Sequence, residues 1–395
     1  MRKKTLREVA LDGKRVLVRV DFNVPLNPDL TVEDDGRLRA SLPTIRYLRE
    51  RGCRVILASH MDRPKGRVVE ALRLDPAARR LAELLDCPVR KIDQCVGPEA
   101  RDAVERLHPG EVLLLENLRF HPEEEANEPE FARRLAQLAD VFVQDAFGVV
   151  HRQHASVVGV SAFLPAVAGF LLEKELAYLS EFLSEPPRPF LLVVGGAKVS
   201  DKIGVLRSLW RKVDEALVGG GLANTFLAAS GLHMGSSLVE TDALAVAGDL
   251  LREAAERGVQ VHLPVDMVVA PEPREGVPRR AVPVDGMPDD WQALDIGPQT
   301  LREYEQVIAR ARSVFWNGPL GVFEVPGFEQ GTYGVARAMA ANPGLTVVGG
   351  GDATAAVRKA GVAERMSHLC TGGGAALKFL EGHELPGVAC LEDAP

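Results

Sequence analysis

Four segments in the first half of the chain place polar or cationic side chains where short apolar runs end: "VDFNVP" (20–25), "SHMDRP" (59–64), "ENLRF" (116–120) and "DAFGVVHR" (145–152). If those runs are parallel strands, Asp21, Asn23, His60, Arg63, Arg119 and Arg152 converge on one edge, and Arg37 lies on the loop after the first run. Guanidinium groups gathered at one cleft repel each other unless a multiply charged anion fills it, and their planar fork suits phosphate and carboxylate. One such arginine reads most simply as a surface residue, and His60 alone decides nothing. The repetition at successive strand ends is what points to a polyanion site.

The second half ends its apolar runs differently, on glycine: "GGAKVSDK" (195–202), "GGGLANTF" (219–226), "NGPLGVFE" (317–324), "VVGGGD" (347–352) and "TGGGAAL" (371–377). Glycine lets backbone N–H groups approach phosphate oxygens, and a helix starting there adds the positive end of its dipole. Lysine is scarce, 11 residues against 36 arginines, yet Lys198 and Lys202 stand four apart at the predicted start of a helix. A cation there opposes the dipole and costs stability unless an anion is bound. Asp352 is a natural carboxylate for Mg²⁺ held mainly through phosphates and water. The residues by themselves thus suggest a small-polyanion site, a Mg-nucleotide site, and phosphoryl transfer between them.

These residues need a scaffold, and the rest of the chain supplies one. The runs "KRVLVRV" (14–20), "CRVILAS" (53–59), "EVLLLEN" (111–117), "DVFVQDA" (140–146), "PFLLVVGG" (189–196), "EALVGGG" (215–221), "SVFWNG" (313–318) and "LTVVGGG" (345–351) are continuously apolar. That pattern predicts strands buried on both faces, hence parallel sheets covered by helices such as "DPAARRLAELLD" (75–86). "LLEKELAYLSEFLSEPPRPF" (171–190) reads as a helix halted by three prolines before a fresh strand, and predicts a helical linker at 170–186. The expected fold is α/β, two Rossmann-like domains of 1–169 and 187–377. At 395 residues, two or three cores are affordable.

Composition narrows the partners. A net charge of −8 disfavours nucleic acid, although residues 1–170 hold 27 basic against 26 acidic side chains and the remainder 20 against 29. Five scattered cysteines without a CxxC pair are expected to be reduced thiols in a cytoplasmic protein. The basic start "MRKKTLREVA" lacks the apolar core of a signal peptide. The apolar stretch 157–172 is too short for a membrane span, contains Pro165, and reads as a buried segment. The acidic "HPEEEANEPE" (121–130) reads as a solvated loop.

Taken in order, "RVDFNVP", "LPTIRYL", "ASHMDRP", "LLENLRF", "DAFGVVHR", "GFLLEKEL", "GGAKVSDK", "WNGPLGVFE", "VVGGGD" and "TGGGAAL" closely resemble the phosphoglycerate kinase family, from residue 19 to residue 377. The tail "LEGHELPGVACL" (380–391) is similar to the family's end. The resemblance implies a monomeric two-domain hinge enzyme of glycolysis. It would move the acyl phosphate of 1,3-bisphosphoglycerate to ADP, reversibly and with Mg²⁺, giving 3-phosphoglycerate and ATP. By that likeness Asp21, Phe22, Asn23, Arg37, His60, Met61, Asp62, Arg63, Arg119 and Arg152 bind the triose. Lys198 and Lys202 hold the nucleotide and the moving phosphoryl with Arg37 and the backbone near Gly373, and Asp352 holds the metal. Glu324 would take the ribose, and Gly196, Gly220, Gly297, Asn317, Gly349, Gly350, Gly351 and Ala353 would lie near the nucleotide. The tail, residues 378–395, is expected to return to the N-terminal domain.

Three positions depart from the family pattern. Asp62 stands where a glycine is common and brings a carboxylate towards an anion site unless it points away. Val149 stands where a hydroxyl is frequent. Ala353 replaces Ser or Thr, predicting slightly weaker nucleotide hydrogen bonding. Two other readings fit the sequence less well. A nicotinamide-dependent dehydrogenase lacks support without a GxGxxG motif. A non-catalytic nucleotide- or phosphosugar-binding protein on the same scaffold would not need Arg37 and Lys198 to act together.

Overall fold

The uninterrupted aliphatic runs do form strands with buried faces. In the computed structural model, which describes residues 2–394, β1 (Arg15–Arg19), β2 (Arg54–Ala58), β3 (Val89–Lys91), β4 (Val112–Leu114), β5 (Val141–Gln144) and β6 (Ala166–Ala168) make one six-stranded sheet. Its order is β3-β4-β2-β1-β5-β6 and every pairing is parallel. Val16, Val18, Leu57 and Leu114 pack one face against Ile45, Leu48 and Leu81 from the helices Gly36–Glu50 and Asp75–Leu85. Burying apolar surface away from water, at about 25 cal/mol per Å² buried, is what holds such layers together.

A second parallel sheet joins β7 (Phe190–Val194), β8 (Glu215–Val218), β9 (Gln260–His262), β13 (Ser313–Asn317), β14 (Leu345–Gly349) and β15 (His368–Leu369), in the order β15-β14-β13-β7-β8-β9. A third sheet went unread in the sequence. β10 (Asp266–Ala270), β11 (Arg280–Pro283) and β12 (Gln292–Ile296) pair antiparallel in the order β11-β10-β12. β11 is largely exposed and carries little apolar signal, which is why periodicity missed it.

The chain divides into two units. One runs to Ala177 and resumes at Glu384; the other is Tyr178–His383. The helix Phe170–Leu183 carries the boundary. Within the first unit the returning C-terminal segment is pinned to the chain's start: Lys3 Nζ lies 2.8 Å from Asp393 Oδ1 and Lys4 Nζ 2.8 Å from Glu392 Oε2. The Gly387 N–H also donates to the Val150 carbonyl at 2.8 Å.

Three local expectations need correction. Residues 121–130 are not a solvated loop: they form the short helix Pro122–Glu125 and begin Pro129–Ala136, with Glu124 fully buried. Arg37 is not in a loop but is the second residue of the helix Gly36–Glu50. The stretch 157–172 is not uniformly buried, since Phe163 is 45% exposed while β6 within it is covered. The five cysteines are free thiols.

Candidate active site

Because β4, β2, β1 and β5 are neighbours in that order, the segments leaving their carboxyl ends meet. Asp21 and Asn23 follow β1, His60 and Asp62 follow β2, Arg119 follows β4, and Arg152 follows β5. The Phe22 N–H donates to Ser59 Oγ at 2.8 Å, and the Asp62 N–H to Asn23 Oδ1 at 2.8 Å, which ties the β1 and β2 exits together. Arg37 reaches back from its helix to donate to the Asn23 carbonyl at 2.6 Å and to Asp21 Oδ1 at 3.3 Å. Arg119 donates to the Asp62 carbonyl at 2.7 Å, while its Nε is buried without a hydrogen bond, 3.4 Å from Glu125 Oε1.

Phe22 and Met61 are buried beneath these groups, with the Met61 carbonyl accepting from Asn117 Nδ2 at 2.8 Å. Arg63 is exposed, and neither its guanidinium nor that of half-buried Arg152 has a protein partner among the described residues. Asp62 adopts φ 50°, a left-handed conformation that explains a preference for glycine there; it contributes backbone groups to the network while the residue stays exposed.

An inner layer was not anticipated. Arg19, the last residue of β1, is fully buried and donates from Nε to Ser156 Oγ at 2.9 Å. Ser156 Oγ donates in turn to Glu124 Oε1 at 2.6 Å. Arg19 also lies 3.2 Å from His60 Nδ1. Burial, followed by the charges of Arg19, Arg119, Arg37 and Arg152, pushes His60 well below its ordinary range. His154, equally unforeseen, is pushed down to about 3, and Arg119 down to about 10, in each case by burial first and neighbouring cations second. The sequence did hold one signal: an arginine inside the otherwise aliphatic "VLVRV" has to be compensated somewhere. The region is a field of positive charge with too few carboxylates to neutralise it.

The second unit works with backbone. A Cβ on Gly195 would fall 2.0 Å from the Pro319 carbonyl oxygen, and one on Gly373 would fall 2.5 Å from Gly350 Cα. The glycines therefore let loops pack on one another, a different reason from the ligand approach read in the sequence. Gly351 alone of its triplet has open space around it. Gly350, at φ 102°, precedes the helix Gly351–Lys359, and Gly373 opens the helix Gly373–Leu380.

Lys202 is half-buried, donates to Asn317 Oδ1, and immediately precedes the helix Ile203–Leu209; Lys198 is exposed and lies four residues before Lys202. The expectation of two lysines within a helix start is thus corrected to one, since a tight turn at Val199–Lys202 delays the helix. Asn317 Nδ2 donates to the Gly349 carbonyl at 2.8 Å, joining the exits of β13 and β14.

A cavity of about 360 Å³ in this unit is lined by Gly196, Gly220, Leu238, Met267, Glu324 and Asp352, among others. Gly297 lies outside that lining, packed so that a Cβ would meet Asp266 Cγ at 2.1 Å. Ala353 is fully buried in the core, so a hydroxyl at that position would enter apolar surroundings rather than reach a ligand. Asp352 is exposed and makes no hydrogen bond or ion pair among the described residues, although its charge acts on Lys202, which fits a single carboxylate meeting a phosphate-bound Mg²⁺.

Residues 6–383 match the family described as phosphoglycerate kinase. Curated phosphoglycerate kinases of Moorella thermoacetica and Pelotomaculum thermopropionicum are 58% and 56% identical, each over the full length of both chains. Among solved structures, phosphoglycerate kinase of Coxiella burnetii matches with a TM-score of 0.86 at 40% identity, covering 98% of each chain. That of Pyrococcus horikoshii matches with a TM-score of 0.88 at 35% identity, covering 99% of this chain and 98% of that one.

Proposed function

The chain belongs to the phosphoglycerate kinase family, and from that premise we propose how its residues divide the reaction. The first unit takes the triose ligand through Arg37, His60, Arg63, Arg119 and Arg152, with Asp21, Asn23 and Asp62 holding those side chains. Phe22 and Met61 support them from below. The second unit takes the nucleotide through the cavity bordered by Gly196, Gly220 and Glu324. The observation that carries the reading is the cationic cluster after β1, β2, β4 and β5, where burial first and the gathered cations second depress two imidazoles and a guanidinium. Such a cluster is paid for by a polyanion.

In the ATP-forming direction a β-phosphate oxygen of ADP attacks the phosphorus of the acyl phosphate. The bond from phosphorus to the carboxyl oxygen breaks, and 3-phosphoglycerate leaves as a carboxylate. No proton moves, so no general base is required. The work left to the protein is alignment and neutralisation of charge on the phosphoryl in flight. Arg37, Lys202 and Lys198 supply cations for it, and the N–H groups that open the helix at Gly373 supply dipoles. Asp352 would hold the Mg²⁺ that accompanies the nucleotide and screens its phosphates. The helix Phe170–Leu183 is our candidate hinge for bringing the two ligands into line.

The test is ADP formation from MgATP and 3-phosphoglycerate, coupled to NADH oxidation through excess glyceraldehyde-3-phosphate dehydrogenase. Oxidation that needs every component supports the proposal. Tight ATP binding without turnover overturns it in favour of a binding protein.

A further inference from the structure

Arg19 and His60 meet in a way that leaves the imidazole little choice. Both side chains are buried, and an Arg19 terminal nitrogen lies 3.2 Å from His60 Nδ1. A guanidinium has five N–H donors, no acceptor, and does not lose its proton in a protein. A hydrogen bond at this distance therefore exists only if Nδ1 carries the lone pair. The other polar atom facing Nδ1, Asp21 Oδ1, lies 4.0 Å away, beyond hydrogen-bonding range. A proton on Nδ1 would aim an N–H at a cation and gain no acceptor in return. The ring's single proton then resides on Nε2, for which the protein offers no partner among the described residues.

Arg19 is not free to turn aside. Its Nε is held by Ser156 Oγ at 2.9 Å, and Ser156 is held by Glu124 at 2.6 Å. The remaining charges that bear on His60 are Arg37, Arg119 and Arg152, all opposed to a second ring proton, and Asp21.

We propose that Arg19 is a positioning residue that fixes His60 as the neutral Nε2–H tautomer, so that the imidazole presents one directed donor to an oxygen of the triose ligand. The proposal rests on the reading of this cluster as the triose site. Its chemical sense is that four arginines already supply charge to that neighbourhood. A neutral, tautomerically fixed histidine adds direction, and it does so without a protonation step near neutral pH.

The experiment is long-range ¹H–¹⁵N NMR of the full-length protein carrying ring-¹⁵N histidine, free of ligand near pH 7. The His60 signals are identified by their loss in His60→Gln. The expected result is an unprotonated, far-downfield Nδ1 and a protonated Nε2. An Nδ1–H ring, a doubly protonated ring or an even tautomer mixture would overturn the proposal, and this reading needs no Arg19 variant to fold.

The variant Arg19→Met/Glu124→Gln then removes one buried cation and one buried anion together. It should move His60 towards a tautomer mixture and weaken 3-phosphoglycerate binding about 10- to 100-fold, the loss expected for one charge-assisted or well-directed hydrogen bond, while ADP affinity holds. A folded variant with an unchanged His60 tautomer would remove Arg19 from the account. Failure of the wild type to bind 3-phosphoglycerate in calorimetry would instead strike the triose-site reading and leave the tautomer result standing.

Discussion

On the proposed reading the two units solve the same problem, holding a phosphate, with opposite materials. Both offer the carboxyl ends of a six-stranded parallel sheet. The first fills that edge with long cationic side chains and then needs a buried scaffold of Arg19, Ser156 and Glu124 to keep them in place. The second leaves the edge nearly bare: Gly195, Gly318 and Gly220 pack backbone against backbone, and half-buried Lys202 is steadied there by Asn317. Side-chain recognition tolerates truncation of one member at a cost in affinity. Backbone recognition built on close packing does not tolerate even a methyl group, because the loops themselves must move.

That contrast can be broken most forcefully at Arg37. Arg37→Ala is expected to lower kcat about 10²- to 10³-fold, the typical cost of removing a donor to developing charge. Its thermal midpoint should stay close to that of the wild type, because the residue is only half-buried. Steady-state kinetics alongside calorimetric unfolding checks both halves; a large drop in stability would mean the first site is structural as well.

Gly373→Ala is the complementary change. With a Cβ 2.5 Å from Gly350 Cα, it should cost about 1–3 kcal/mol of stability and also loosen ADP binding. Denaturant titration together with nucleotide calorimetry would show it. Loss of turnover with stability intact would mean that this turn adapts, and the contrast between the units would weaken.

A pH experiment asks whether the units also share a feature. Burial raises Asp145, in the first unit, and Asp295, in the second, each to about 8. A carboxyl raised in the folded state is protonated there while the unfolded chain ionises, so its contribution is present at acid pH and is lost as pH rises from about 4 to about 8. The slope is up to ~1.4 kcal/mol per pH unit per group. Asp145→Asn keeps the oxygen that accepts from the Leu171 N–H at 2.9 Å and should gain stability over wild type as pH rises through that window. Urea unfolding of both proteins across the range is the measurement, and a pH-independent difference would reject the assignment.

The smallest effects are expected at the departures from family pattern. Asp62→Gly should relieve the left-handed backbone at φ 50° and stay within ~1 kcal/mol of wild type in stability. Ala353→Ser should slightly destabilise through its buried hydroxyl and leave nucleotide affinity unchanged, contrary to the expectation from sequence. Thermal scans and ADP titration of each variant would sharpen this end of the comparison.

Much of the fold was legible because its information is local. Continuous runs such as "KRVLVRV" and "LTVVGGG", short and rich in β-branched residues, read as strands covered on both faces, and the proline cluster after 185 ends a helix whatever surrounds it. The gathering of the side chains proposed for the triose site was legible for a related reason: the end of a strand fixes where the next few residues go. Exposed β11 was not legible, since a surface strand has no apolar signature. Nor was the burial of Glu124, which sits in an acidic run that composition assigns to solvent.

What the sequence determined by itself was the alternation of strands and helices and which residue types gather at strand ends. Tertiary structure alone decided that Arg19 turns inward onto His60, that a turn at Val199–Lys202 separates Lys198 from the helix, and that the glycines serve loop-to-loop packing. The physical reason is range. Strand and helix signals arise between neighbours along the chain. The partner of a buried charge and the clearance around a Cα are set by residues up to about a hundred or more positions away, which no local pattern encodes.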